Sequence, residues 1–123
     1  MCVRLVHNFL YTQLMIAGTS DKYLRSPVSG IVVSLIEEIV DSHVVINIIV
    51  KPALEFVPIA PLNNSKIQID IISQDMKPLK VKEYIPCVSL VRLTILKNII
   101  KNLCVDVGDH IKIGSSIIAL QVT

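Results

Sequence analysis

Val105-Asp106-Val107-Gly108-Asp109-His110-Ile111-Lys112-Ile113-Gly114, followed by the apolar segment Ser116 to Val122, is the stretch that decides the fold. Gly108-Asp109 is a hairpin-turn signal, since such turns need residues that accept positive φ. Gly114 opens a second corner, and the segment after it is a closing strand. Strand, Gly-Asp turn, short polar–apolar stretch, glycine corner and strand together describe sheet folding back on sheet.

Moving outward, the other segments agree. Leu24-Arg25-Ser26-Pro27-Val28-Ser29-Gly30 is a proline turn leading into the apolar run Ile31 to Ile36. Pro27 fixes φ on entry and Gly30 is expected to supply positive φ on exit. Glu37, Glu38 and Asp41 read as an exposed connection. His43 to Val50 is a nearly unbroken apolar run, as for a strand covered on both faces. Pro52, Pro58 and Pro61 make residues 51–64 an extended, turning segment at a sheet edge. Lys66-Ile67-Gln68-Ile69-Asp70-Ile71 alternates strictly and is a half-buried strand. Residues 73–86 read as a loop and Cys87 to Leu96 as another apolar strand. Small-Pro-aliphatic-polar turns at Ser26 and Ala60 suggest two related turn units.

Composition points the same way. Of the 123 residues, 52% are hydrophobic but only 4% aromatic, with no Trp, so the core is built from Ile, Val and Leu. Such β-branched content favours strands, and the length suits one domain. The expectation is an all-β domain over 21–123, preceded by an arm or short helix over 1–20 in which Val3, Val6 and Leu10 share a face.

The same composition excludes several functions. Net charge is +2 with scattered basic residues and no aromatic stripe, so a nucleic-acid partner is not expected. Cys2, Cys87 and Cys104 are far apart, which supports neither a zinc site nor a disulfide framework. Arg4, His7, Asn8 and Gln13 interrupt the N-terminal apolar residues and argue against a spanning helix there. The compartment stays open between intracellular, mitochondrial and membrane-associated.

The glycine module resembles the barrel-sandwich hybrid shared by biotinyl and lipoyl carriers, glucose-type phosphotransferase IIA domains and phosphatidylserine decarboxylases. For a carrier, Met76-Lys77 supplies the one candidate attachment lysine, Lys77, with Pro78 directly after it. The phosphotransferase likeness, in Ser26 to Val32 and Val50-Lys51-Pro52, implies a histidine nucleophile, yet no histidine lies between Asn64 and Gly108. The decarboxylase likeness runs furthest, over most of residues 9 to 120. Phe9 stands ahead of Ser26-Pro27-Val28-Ser29-Gly30, which is similar to that family's Ser-Pro-Ala-Asp-Gly turn. Pro52, Val57, Ala60 and Pro61 fall in register with its proline-rich segment. Lys101 to Cys104 and Gly108-Asp109 to Gly114 are similar to its closing motifs.

That resemblance implies an enzyme which cleaves itself at a Gly-Ser bond, using an Asp-His pair, to make a pyruvoyl group. In this chain Ser29 stands at the aspartate position and Phe56 at the histidine position. A hydroxyl cannot charge-stabilise an imidazole, and a phenyl ring accepts no proton. Gly114-Ser115 is the one Gly-Ser bond and hence the candidate cleavage point. No cofactor is expected unless a pyruvoyl group forms, and no metal. Two functional expectations follow. One is a catalytically degenerate decarboxylase-like domain acting as a structural or interaction subunit, with a protein partner and proximity to membranes. The other is a partial pyruvoyl-type chain in phospholipid synthesis, since the sequence ends at Thr123 ahead of the family's cleavage motif. The 44–50 run and the 51–64 edge are the expected interface.

Overall fold

Nine strands and two single-turn 3-10 helices make up the computed structural model, which describes residues 23–58, 61–63 and 66–121. The expected helix or arm over 1–20 lies outside those residues. In chain order the strands are β1 (Tyr23–Arg25), β2 (Gly30–Val40), β3 (His43–Pro52), β4 (Leu62–Asn63), β5 (Ile67–Ile72), β6 (Leu90–Leu96), β7 (Ile100–Leu103), β8 (His110–Ile111) and β9 (Ser116–Leu120). The fold is all-β and barrel-sandwich-like. A curled sheet in the order β4-β5-β6-β3-β2-β8 is complemented by a small sheet, β1-β9-β7.

Side-chain alternation sorts the large sheet into two faces. Ile46, Ile48 and Val50 of β3 share the inner face with Leu93 and Ile95 of β6 and Ile67, Ile69 and Ile71 of β5. These pack with Leu24 of β1 and Ile117, Ile118 and Leu120 of β9 into one core. Nearly all of it is aliphatic, as the composition requires. Burying each such side chain contributes about 1.5–3 kcal/mol. The outer face carries Asn47, Thr94, Gln68 and Asn63 in one row across β3, β6, β5 and β4.

Several expectations are corrected. The strand of the Ile31 to Ile36 run, β2, does not stop at Ile36: it continues through Glu37 and Glu38 to Val40, and the connection shrinks to Asp41-Ser42. Both turn residues have positive φ (49° and 69°), the mirror-image turn that matches strand twist. The 44–50 run lies within the large sheet. It is the middle of β3, with β2 on one edge and β6 on the other, and Val45 to Val50 are buried. Gly30 does not have positive φ, unlike Gly108 (97°) and Gly114 (91°). It is glycine because the backbone of Lys51 and Pro52 passes directly over it. Residues 97–99 form a 3-10 turn before β7. Of the 51–64 segment, Leu62–Asn63 forms the terminal strand β4, while 59–60 and 64 lie outside the described residues.

Candidate functional site

The three motifs that carry the family likeness meet at one junction. Ser26 is buried at 2% exposure, and its hydroxyl donates to the Val28 carbonyl while accepting the Val28 amide, which sets the proline turn. Its backbone is clamped to the C-terminal corner: the Ser26 amide donates to the Ser115 carbonyl (2.7 Å) and the Gly114 amide donates to the Ser26 carbonyl (2.8 Å). Further along, the Ile113 amide donates to Ser29 Oγ at 2.9 Å. Arg25 Nη1 donates to the Gly114 carbonyl and to Ser116 Oγ. The middle segment joins from the other side, where the Ala53 amide donates to the Ser29 carbonyl and the Phe56 amide to the Ala53 carbonyl.

The structure therefore brings Ser29, Gly114 and Ser115 together, with Phe56 three residues along from Ala53. Each of these side chains makes a contact that braces the junction. Ser29 Oγ receives a backbone amide. Ser115 Oγ does the same, accepting from the Lys112 amide at 3.1 Å, a partner that cannot take a proton from it. Phe56 is half-buried and rests against Tyr84, with ring centroids 5.5 Å apart and planes inclined at 56°. Burial, with the nearby Cys87 as a smaller influence, raises the Tyr84 phenol above its ordinary 10.0.

That shift has a sign that can be checked. A raised folded value means the unfolded chain ionises first, so the stabilisation is complete below about pH 10 and is lost as pH climbs through the folded Tyr84 value. Stability should fall on the alkaline side of pH 10. Tyr84→Phe should flatten that part of the profile and remove one late-titrating phenol from the ultraviolet absorbance titration.

The two histidines among the described residues do not assemble into a site. His43 pairs with Val40 at the far end of β2, and His110 pairs with Ile31 near its start. Nine residues of strand separate those positions, or about 30 Å. Lys77 is exposed at the end of a turn in which the Ser73 amide donates to the Lys77 carbonyl, and Met76 has positive φ there. Cys87 and Cys104 are free and exposed, and no cluster able to hold a metal occurs among the described residues. Within the same limits, no helix is long and apolar enough to cross a membrane.

Sequence reading missed a concavity of about 330 Å³ on the outer face of the large sheet, between the β2–β3 tip and β5. Asn47, Thr94 and Gln68 of the polar row line it. Asn47, only 4% exposed, accepts from Thr94 Oγ1 and donates through Nδ2 to Glu38, both at 2.7 Å. Arg92 at its rim is committed to Asp70 by two hydrogen bonds, 2.7 and 3.2 Å. Asn47, Thr94, Glu38 and Arg92 are thus tied to other side chains of the sheet, while Asp41 and His43 also line the groove. No signal could have found it, because Glu38, Asn47 and Thr94 become neighbours only through strand register.

No family model matches the chain, and no curated protein or solved structure is significantly similar to it.

Proposed function

We propose that this chain is a catalytically degenerate relative of phosphatidylserine decarboxylases that serves as a structural or interaction subunit, near membranes by ancestry. The observation that supports it most is the junction itself. Three separated motifs similar to that family's interlock in space. At the two positions where the family moves protons, Ser29 receives the Ile113 amide and Phe56 packs on Tyr84. Both positions have been given over to holding the domain together.

The competing reading is a partial chain that forms a pyruvoyl group, alone or with a partner polypeptide. Intact mass and amine trapping discriminate between them. The degenerate reading expects one uncleaved species of 13.6 kDa that does not react with hydroxylamine, with or without the proteins that co-purify with it. A fragment beginning at Ser115, converted to a pyruvoyl terminus that traps hydroxylamine, would establish the enzyme instead.

A further inference from the structure

We infer that the open edge of β2 is a docking site for an extended polypeptide segment bearing adjacent basic residues, which would join the large sheet as an added strand. This rests on the interaction half of the proposed function and not on decarboxylase ancestry.

Among the described residues the edge is open by geometry. On that side β8 covers only Gly30 and Ile31. The Val32 amide and carbonyl are then taken by the Asp109 carbonyl and the Gly108 amide. Val33 follows as a bulge, and from Ser34 to Val40 no strand among the described residues pairs with this side. Because the Asp41-Ser42 turn has two residues, Val40 and His43 form the hydrogen-bonded pair that closes the hairpin. Alternation then aims the N–H and C=O of Leu35, Glu37 and Ile39 outward. Natural edges are blunted by lysine, proline, shortness, bulges or inward-pointing charges, and here only the bulge at Val33 and the charge of Glu37 play that part. Val33 to Val40 has neither lysine nor proline. It instead exposes Ile36 and Val40 on one face and Ile39, 75% accessible, on the other.

Charge selects the occupant. Between Gly30 and Val50 the charged residues are Glu37, Glu38 and Asp41, with no Lys or Arg, in a chain whose net charge is +2. A second copy pairing antiparallel along Leu35 to Ile39 would set Glu37 against Glu37. Like charges directly opposed destabilise a strand pair. The bridge from Lys97 to Glu37 is solvent-exposed and therefore weak, so an incoming cation can replace it. A strand with β-branched residues around two adjacent lysines or arginines meets Glu37 and Glu38 on the two faces while its backbone satisfies the edge.

A synthetic peptide of alternating Thr and Val around a central Lys-Lys, roughly ten residues long, tests this on the whole chain by amide hydrogen exchange and fluorescence titration. Binding should slow exchange at Leu35, Glu37 and Ile39 and weaken with added salt. A Glu-Glu version of the peptide should not bind. Ile39→Pro removes an outward N–H without touching the β3 ladder and should weaken binding about ten-fold. If that variant misfolds, the exchange pattern of the unaltered chain decides. Absence of protection, equal binding of both peptides, or full affinity in a folded Ile39→Pro chain would overturn the assignment. So would a dimer already protecting these amides, which would give the edge to a second copy.

Discussion

Gly30→Ala is expected to destabilise the domain by about 3 kcal/mol, a fall in Tm on the order of 15 °C. A methyl group at this position would run into the Lys51 carbonyl oxygen, sit 2.9 Å from Pro52 Cα and 3.0 Å from the Lys51 carbonyl carbon. All three are backbone atoms of β3, and none can swing aside as a side-chain end would. Moving them would also disturb the Ala53 amide that donates to Ser29. The useful control is Gly114→Ala. That glycine has φ of 91° but nothing within 4 Å of where its Cβ would lie. Its cost is conformational and should be about 1–2 kcal/mol. Asparagine, which tolerates positive φ, should recover part of the loss at Gly114 and deepen it at Gly30. Thermal melts of the four variants check the pattern. Equal losses for the two alanine variants would mean that the close approach at Gly30 carries no special weight.

This pair of glycines also marks the limit of what the chain discloses before it is folded. Gly108-Asp109 and Gly114 could be placed because a turn is a local event, and the residues that permit it sit within it. The strands β3 and β5 were legible for a similar reason. An unbroken Val-Ile run and a strict Ile–polar alternation are each written in consecutive residues. Gly30 looked like the same kind of turn glycine, yet what demands it is Lys51-Pro52, more than twenty residues away. The extent of β2 was hidden differently. Glu37 and Glu38 suggested a loop, but one bridges to Lys97 and the other accepts from Asn47, so the strand carries both. Position in the sheet was equally illegible: the 44–50 run is as apolar as an interface and is a central strand. Of the candidate site, Ser29, Gly114 and Ser115 were named from the sequence. Their meeting was not, because it depends on how β8 and the two turns lie along residues 25–32.

The buried amide of Asn47 leads to the second large expectation, an asymmetry between two substitutions that share one hydrogen bond. Thr94→Val keeps the shape of the side chain and removes only the hydroxyl that Asn47 Oδ1 accepts. It strands that oxygen on a residue with almost no access to water, at a cost of about 2 kcal/mol. Asn47→Val removes the buried polar group altogether. The partners it leaves are Thr94, half-exposed on the groove floor, and Glu38, exposed on β2, and both can turn to solvent. A β-branched residue also suits the centre of β3. That change should cost within about 0.5 kcal/mol of nothing. In the double variant, Thr94→Val should then add almost no further loss, since no acceptor remains to be stranded. Urea midpoints at constant slope give the cycle directly. If the two losses simply add, the hydroxyl contributes through packing, and the row from Glu38 to Thr94 is not a coupled network. If they couple as expected, Asn47 is held at the centre of the sheet by its partners and contributes little net stability of its own. Register against β2 and β6 is then the quantity it protects, because a slip of one residue on β3 would turn the amide into the aliphatic core.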